Sequence, residues 1–421
     1  MKIKNLNVAV PEGPSGVLHK GSQFLYSYEG ADEQAREVSL VMPSANAPFR
    51  SSTLHPIFDM NVPEGYLADQ IRRRMAKHLP LDEMRMLSLI GENQIGRLTL
   101  RDPLSTGATI TPQVGLKELL NEKQSAKIFE FLVDAHFASG ISGVQPKVLV
   151  PDLDKQDAFR GALGASDLIV KSGSEQYHGL AQNEFLCMEA ARLAGISTPA
   201  YWLSDSRELF IMERFDLTPE GLLGFEDMAV LLRLPKDQHD NYKYSQSYEV
   251  VSRVVNDLCQ DKDRELEAFF ASFCLSVMVR NGDAHLKNFG LLYTHPGDRA
   301  SVRLSPIFDV TTTTIYDHYN PKSGQSLVDR TMALKLNGKK NYPTRQELLA
   351  FGSNQCMLRR PEDVINRIAE AMHEALRINR DRLDPSLHAA MSKEWEAGIV
   401  MALHPALGKG FRRSPVKNIK E

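Results

Sequence analysis

Two aspartates and an asparagine near residue 300 are the residues of this 421-residue chain best suited to chemistry. Asp283 and Asn288 stand five positions apart, and Asp309 follows a strand-like run at 301–305. In kinase-type phosphoryl transfer, one aspartate takes up the proton of the attacking hydroxyl while an asparagine and a second aspartate hold metal ions against the nucleotide phosphates. Such oxygen ligands are those that Mg²⁺ prefers. A polar segment closing a helix would look much the same, so the rest of the chain must decide.

Composition and charge are those of an ordinary globular protein, with 42% hydrophobic and 24% charged residues. The length predicts two or three domains. A net charge of -3 argues against nucleic-acid binding over the whole surface. We find no apolar run that could span a bilayer and no signal-peptide core, so we expect a cytoplasmic protein without membrane association. Widely spaced cysteines predict buried free thiols in a reducing compartment: Cys187, Cys259, Cys274 and Cys356.

Residues 1 to about 105 have the pattern of strands and turns with two helices. Short β-type runs between turn-forming residues predict strands at 8–10 and 38–41. Apolar residues at four-residue steps predict a helix over 66–75, and a second helix is predicted over 81–90.

Helices and strands then alternate to about residue 216, and the remaining chain is mainly helical. The predicted elements are a helix at 126–138, a turn and strand at 142–150, a strand at 168–171, a helix at 183–193, a hairpin of 201–203 and 209–215, and long helices at 265–280 and 361–383. A β-rich half joined to an α-rich half predicts an α+β fold with two lobes. A nucleotide would lie between them, since clefts between domains are the usual ligand sites.

The β-rich half offers a cation for the nucleotide phosphates. Lys171 ends an apolar strand, where its ammonium could reach the α- and β-phosphates. Glu184 opens the next helix and could pair with it, with Glu189 as a second candidate. Each also has a plain structural explanation, as a solvated strand-end lysine and as acids on a helix.

Three further segments carry weaker signals. The glycine-containing loop 139–147 could hold phosphates on its backbone N–H groups, although an ordinary hairpin turn explains it equally and the Walker spacing is missing. The segment Glu213–Phe215 could meet an adenine edge, or could be a plain edge strand. His285 has no partner at metal-ligand spacing, so a structural role is favoured over zinc.

Taken in order, these segments resemble the HipA family of bacterial serine/threonine kinase toxins. The matching segments are 141–147, 168–171, 183–195, 212–216, 281–288 and 304–309, preceded by an N-terminal match at 55–65 and 89–96. The resemblance covers nearly the whole chain and is weakest at 318–345. It implies a two-lobed, protein-kinase-like fold with an N-terminal subdomain at 1–105, a kinase N-lobe at 106–216 and a helical C-lobe at 217–421.

The resemblance also implies site residues and cofactors. Asp283 would be the catalytic acid–base residue, and Asn288 and Asp309 would bind Mg²⁺. The residues that would bind ATP are Ser142, Gly143, Val144, Gln145, Pro146 and Lys147 in the phosphate loop, Lys171, the hinge residues Glu213, Arg214 and Phe215, and His285 and Lys287.

Members of this family autophosphorylate a serine of the phosphate loop, which ejects the loop and switches the kinase off. The usual position of that serine holds Gly140 in this chain. Ser142 and Ser139 are the remaining candidates. A phosphate dianion at Ser142 would repel the ATP phosphates, so the ejected loop would be favoured.

The implied partners are a protein substrate and a HipB-like helix-turn-helix antitoxin, through which the kinase sits on operator DNA. Substrates in the family include aminoacyl-tRNA synthetases and related translation components. The basic C-terminal stretch 409–420 could contact phosphates itself, although a solvated terminus explains it better.

Three alternatives remain open at this point. The chain could be an inactive kinase-like scaffold that binds an antitoxin as a co-repressor, although all the acids and Lys171 are present. It could be a small-molecule or lipid kinase, against which the N-terminal match argues. A two-metal nuclease could use the acids, but would leave the lysine and the hinge without a purpose.

Overall fold

The computed structural model describes residues 2–30, 34–75, 81–104, 115–121, 127, 129–130, 132–133, 145–150, 167–173, 177–236, 241–320 and 325–404. The fold is α+β and kinase-like, with an N-terminal sheet, a second sheet beside one long helix, and a mainly helical C-terminal part.

The N-terminal part is an antiparallel sheet with the strand order β4-β3-β2-β1-β5. Its strands are β1 Asn5–Val10, β2 Gly13–Lys20, β3 Phe24–Tyr28, β4 Phe49–Ser51 and β5 Thr99–Arg101, and its helices are α1 Pro56–Asp59, α2 Gly65–Met75 and α3 Glu83–Ile90. Alternate residues of β1 (Leu6, Val8 and Val10) are buried, as expected where one face of a sheet covers a core. The predicted strand at 8–10 and both predicted helices are confirmed.

The predicted strand at 38–41 is wrong, because this segment is a buried loop. Its side chains are as apolar as those of a strand, and apolar content alone cannot separate the two. Its backbone is satisfied by side chains instead of a sheet partner. The N–H of Val38 donates to the Tyr28 hydroxyl, and the N–H of Leu40 donates to the carboxylate of Glu226 at 2.8 Å.

The second sheet has the order β6-β7-β9-β8, with all neighbours antiparallel. Its elements are β6 Lys147–Val150, β7 Leu168–Ser172, β8 Tyr201–Leu203 and β9 Leu209–Glu213, flanked by the helices α4 Leu116–Asn121 and α5 Leu180–Leu193. The predicted strands, the hairpin and the helix at 183–193 are therefore confirmed. Residues 127, 129–130 and 132–133 of the predicted helix at 126–138 are helical.

The C-terminal part holds most of the helices. These are α6 Met228–Leu231, α7 Tyr248–Leu258, α8 Lys262–Met278, α9 Arg345–Asn354, α10 Pro361–Ile378 and α11 Pro385–Leu403. Short strands lie between them: β10 Leu217–Thr218, β11 Gly221–Leu222, β12 Gly224–Asp227, β13 Gly290–Tyr293, β14 Arg303–Leu304, β15 His318–Asn320, β16 Gln325–Leu327, β17 Thr331–Leu336 and β18 Lys339–Asn341. The predicted helix at 361–383 ends earlier, at Ile378, where Asn379 leaves helical geometry.

One apolar stripe joins the two lobes. Ile365, Ile368, Met372 and Ala375 are buried on one face of α10, at the spacing of an amphipathic helix. This helix packs against α5 of the second sheet and against α8 and α11. The helix that follows Lys171 is thereby anchored to the C-terminal lobe.

The predicted free cysteines are confirmed, since all four thiols are buried and unpaired with each other. Burial raises the pKa of the Cys187 thiol to about 12, so this sulfur is unreactive. In the part of the chain that the structure describes, no helix is both long and apolar enough to cross a membrane.

Candidate active site

Four charged side chains meet at the mouth of the second sheet. Lys147 of β6 and Lys171 of β7 are directly opposite each other in the antiparallel ladder, so their side chains emerge on the same face. The Lys171 ammonium donates to Glu184 of α5 at 2.5 Å and also to Asp309. Lys147 donates to the other oxygen of Asp309 at 3.2 Å. The predicted contact between Lys171 and Glu184 is confirmed.

Within this buried cluster the charges of Lys171 and Asp309 are the best stabilised, whereas burial lowers the pKa of Lys147 and raises the pKa of Glu184. Burial acts to lower the pKa of Lys171, but the carboxylates of Asp309 and Glu184 outweigh it and raise the pKa to about 12. Burial acts to raise the pKa of Asp309, but Lys147 and Lys171 outweigh it and hold the pKa far below its ordinary value. At neutral pH the Lys171 ammonium and the Asp309 carboxylate are therefore charged.

Asp309 is held in a backbone conformation that residues other than glycine seldom adopt, with φ at +55°. The loop after it is tied to α5, because Asn183 donates to the carbonyl of Thr312 at 3.0 Å and accepts from its N–H at 2.8 Å. Before it, Phe308 stacks on Phe215 with ring centroids 5.3 Å apart. Backbone strain that persists under such restraint is typical of functional sites.

The loop 281–289 carries the other two predicted acid and amide residues. The side chain of Asn281 accepts the N–H of Asp283, and Asn288 accepts the N–H of His285, each at 3.0 Å. Gly282 is required here, because a Cβ would lie 2.7 Å from the carbonyl oxygen of Thr331. Asp283 is exposed, and its carboxylate accepts a hydrogen bond of 2.8 Å from the hydroxyl of Tyr244.

His285 is influenced by the charges of both aspartates. Burial lowers its pKa to about 4, while the charges of Asp283 and Asp309 both act on its imidazole in the opposite sense. The imidazole is therefore neutral at pH 7, and the ring of Tyr244 packs edge-on against it. Among the described residues, no group of three or more His, Cys, Asp or Glu side chains is arranged to hold a metal ion. A structural role for His285 stays a prediction.

A cleft lies beside the cluster and contains about 590 Å³ of empty space, counting the part open to solvent. Its apolar walls include Ile95, Met212, Phe215, Phe225 and Phe308, and its polar walls include Asn61, Lys147, Lys171, Arg214, Asp216, Asp227, Lys287 and Asp309. Apolar walls with a few convergent polar groups are typical of small-ligand sites. Asp283 and Asn288 are not among the residues that line this cleft.

The predicted hinge lies at one wall of the cleft. The N–H of Glu213 donates to the carbonyl of Ala200, and the N–H of Arg214 donates to the carbonyl of Asp167. The Arg214 guanidinium forms two hydrogen bonds with the fully buried carboxylate of Asp216. A role of 213–215 at an adenine edge stays a prediction.

The hinge and the N-terminal subdomain are joined by hydrogen bonds. Arg214 donates to the carbonyl of Gln94 at 2.8 Å, and the N–H of Gly96 donates to Asp216 at 2.6 Å. Residues from all three predicted domains therefore form the cleft.

Part of the predicted phosphate loop can be placed. Gln145 donates to the carbonyl of Ser172 at 3.3 Å, and the carbonyl of Pro146 accepts the N–H of Ser172, so both residues lie at the end of β7. Outside the described residues lie Ser139, Gly140, Ser142, Gly143, Val144 and the basic stretch 409–420.

Several residues at the site escaped the sequence analysis. Tyr244 contacts Asp283 from 39 positions away. Asp216, Asp227 and Phe225 line the cleft. Only Asp216 had a local signal, as the residue directly after the predicted hinge.

Comparison with family models matches both parts of the chain. Residues 6–101 match the HipA N-terminal domain, and residues 139–377 match the HipA-like C-terminal domain. The second match alone covers more than half of the 421 residues.

Two proteins of Sinorhizobium fredii are similar in sequence. The one named "Putative kinase Y4dM" is 28% identical over 285 residues, which are 62% of this chain and 63% of that protein, less than two thirds of its length. The one named "Putative kinase Y4mE" is 23% identical over 389 residues, which are 86% of this chain and 89% of that protein.

A solved structure extends the likeness of the fold. The Shewanella oneidensis HipA, solved with HipB and its operator DNA, superposes with a TM-score of 0.68 at 16% identity, covering 94% of this chain and 96% of that one. At this identity the likeness concerns the fold alone. Because both HipA domain models match in their expected order on a chain with that fold, this protein belongs to the HipA family and is a kinase-like protein.

Proposed function

We propose that this protein is a serine/threonine protein kinase that transfers the γ-phosphoryl group of ATP to a protein hydroxyl. The observation that carries the proposal is the contact of Lys171 with both Glu184 and Asp309 at the edge of a cleft. Kinases require such a lysine between a helix glutamate and a metal-binding aspartate. A purely structural ion cluster would not need an adjoining cavity.

In this proposal the two lysines receive the triphosphate. Lys147 and Lys171 point at one carboxylate of Asp309, whose side chain is 26% exposed toward the cleft. A nucleotide triphosphate would bring negative charge to this place and compete with Asp309 for the two ammonium groups. The adenine would lie against the apolar walls near Met212 and Phe215.

The donor set fits Mg²⁺. Asp309 is ionised, and the amide oxygen of Asn288 uses one lone pair for the N–H of His285 and keeps a second. Mg²⁺ is usually bound by one or two side-chain oxygens together with phosphates and water. When bound, Mg²⁺ would neutralise phosphate charge.

The chemical step would be performed at Asp283. Its exposed carboxylate would accept the proton of the substrate hydroxyl while the hydroxyl oxygen bonds to the γ-phosphorus. The bond between that phosphorus and the β,γ-bridging oxygen breaks, and ADP leaves. The hydroxyl of Tyr244 would hold the carboxylate in one orientation.

We further propose that the protein is the toxin of a toxin–antitoxin pair and binds a HipB-like helix-turn-helix antitoxin, which would provide the contact with DNA. Support comes from family membership and from the HipA of Shewanella oneidensis, whose structure contains HipB and operator DNA. The domain limits 1–105, 106–216 and 217–421 are proposed with it. The protein substrate would come from the translation machinery.

Autophosphorylation in the phosphate loop, at Ser142 or Ser139, would regulate the kinase. The described end of this loop, Gln145 to Lys147, leads directly to the ammonium group beside Asp309. A phosphoserine a few residues earlier would compete with ATP for the same cations.

The proposal is tested by two measurements on four proteins: wild type, Asp283→Asn, Asp309→Asn and the exposed-site control Asp257→Asn. Mg²⁺-dependent ATP binding is measured by calorimetry, and transfer from [γ-³²P]ATP is measured in a cell lysate with phosphopeptide mapping. We expect transfer by wild type and the control only, with ATP binding retained in Asp283→Asn and weakened in Asp309→Asn. Full transfer by either active-site variant contradicts the assigned roles, and ATP binding without any transfer by wild type would show an inactive scaffold.

A further inference from the structure

A carboxylate of the N-terminal subdomain, that of Glu64, contacts a lysine of the loop 281–289, which we call the catalytic loop. Glu64 precedes α2 and is only 7% exposed. Its carboxylate lies 3.2 Å from the ammonium of Lys236, 3.2 Å from that of Lys287 and 3.7 Å from that of Lys243. The three lysines are not adjacent in the sequence of the C-terminal lobe, and each forms an ion pair with the same carboxylate.

Two of these lysines belong to segments that hold the predicted catalytic groups. Lys287 stands immediately before Asn288 in the loop 281–289, and its ammonium also donates to the carbonyl of Met60 at 3.3 Å. Lys243 stands immediately before Tyr244, whose hydroxyl donates to Asp283. Glu64 therefore reaches the catalytic loop by one route and the tyrosine that contacts Asp283 by another.

We propose that Glu64 is a positioning residue that aligns the loop 281–289 and Tyr244, so that the N-terminal subdomain is part of the phosphoryl-transfer apparatus. The proposal rests on the proposed kinase function where activity is concerned. In this proposal Glu64 contacts neither the nucleotide nor the substrate. It acts through Lys243 and Lys287.

The charge of Glu64 explains how one carboxylate could hold the segments of Lys243 and Lys287 in place. Burial acts to raise the pKa of Glu64, but Lys287, Lys236 and Lys243 outweigh it and lower the pKa to about 2, so the group is charged. Asp59 and Asp227 lie close enough to interact with Lys287, but neither forms an ion pair with these lysines among the described contacts. Without the Glu64 charge, the buried ammonium groups of Lys243 and Lys287 would both lose this carboxylate and repel each other, and the segments that carry them would move apart.

The test compares Glu64→Gln with a matched control, Glu37→Gln. Glu37 is also a buried glutamate of the N-terminal subdomain, at 8% exposure, and it bonds to the N–H and hydroxyl of Ser44 within that subdomain. Amide hydrogen exchange is measured over 281–289, together with the ATP dissociation constant and the single-turnover transfer rate. We expect Glu64→Gln to speed exchange of this loop about tenfold and to slow transfer about 10- to 100-fold. ATP affinity should fall by less than the transfer rate, because Lys287 is the one of these three lysines that lines the described cleft, and Glu37→Gln should match wild type.

A second variant, Lys243→Met, covers the case in which Glu64→Gln does not fold. It keeps Glu64 paired with Lys236 and Lys287 but cuts the route to Tyr244, and we expect slower transfer with unchanged ATP affinity. Loop exchange and transfer rate at wild-type levels in a folded Glu64→Gln, or in Lys243→Met if the first variant is unfolded, would overturn the proposal. Faster exchange in a protein whose wild type transfers no phosphate would uphold the positioning role and reject the kinase function.

Discussion

The ammonium of Lys171 and the carboxylate of Asp309 are in direct contact, although 138 positions separate them in the chain. One residue lies at the end of a strand, and the other lies on a strained loop of the C-terminal part. The contact brings the β-rich and α-rich halves together at one edge of the cleft. The predictions below concern buried polar contacts, most of them between residues far apart in the chain.

Replacing Lys171 with methionine should impair both stability and nucleotide binding. Glu184 is fully buried and would lose its ammonium partner, which should cost about 3 kcal/mol of unfolding free energy. The double variant Lys171→Met/Glu184→Gln should recover most of the stability and still bind ATP poorly. Urea unfolding and calorimetry separate the two effects, with the exposed Lys335→Met as the control. Normal ATP affinity in the double variant would contradict the phosphate-binding role.

Glu226 should make the stability of the protein decrease between about pH 4.5 and pH 7. Burial raises the pKa of Glu226 to about 7, although Tyr293, Leu40 and Ser39 donate hydrogen bonds to it. The unfolded chain loses this proton first, since its glutamate has an ordinary pKa, so folding becomes less favourable as the pH rises and levels off above pH 7. The decrease should amount to about 3 kcal/mol.

The variant Glu226→Gln has no proton to lose and should lack this part of the decrease. Urea unfolding at pH 5 and pH 8 measures it, with the exposed Glu396→Gln as the control that keeps the wild-type profile. Burial also raises the pKa of the neighbouring Asp227, to about 6, and the charge of Asp227 helps to raise the pKa of Glu226. A decrease caused by Asp227 therefore remains in the variant, and the comparison reports the part that depends on Glu226. An identical decrease in Glu226→Gln and wild type would show that another group is responsible.

Replacing Asp216 with asparagine should loosen the N-terminal subdomain. The variant removes the carboxylate charge that contacts the buried guanidinium of Arg214 and weakens the acceptor for the N–H of Gly96. We expect a loss of about 3 kcal/mol in unfolding free energy and faster hydrogen exchange at 94–97. The exposed Asp205→Asn serves as the control. If Asp216→Asn loses no more unfolding free energy than Asp205→Asn, the structural role of the Arg214–Asp216 pair is refuted.

Replacing Asn183 with alanine should destabilise the loop that carries Asp309. The variant removes both hydrogen bonds to the backbone of Thr312 and leaves that N–H and carbonyl buried. We expect a loss of about 2 kcal/mol, measured by urea unfolding, with a weaker Mg²⁺-dependent ATP affinity. Asn256→Ala, whose amide bonds only to exposed Asp257, should change neither quantity.

Much of the fold follows from local patterns in the chain. The helix Leu180–Leu193 and the strand Leu168–Ser172 were predicted because helix and strand periodicity are properties of neighbouring residues. The pair of Lys171 and Glu184 was predicted for the same reason, since a strand end and the following helix are close in sequence. The ordered matches at 141–147, 168–171, 183–195, 212–216, 281–288 and 304–309, with those at 55–65 and 89–96, indicate the family.

Local patterns of this kind do not predict contacts between residues that are far apart in the chain. The buried loop at 38–41 has a strand's composition, and its backbone partner Glu226 lies 186 positions from Leu40. Nothing near Tyr244 or Glu64 in the chain marks either as a neighbour of the loop 281–289 or of its side chains. Which polar groups become buried neighbours depends on how the helices and sheets pack. That packing is decided by the side chains of the whole core together, so no short segment of the sequence determines it.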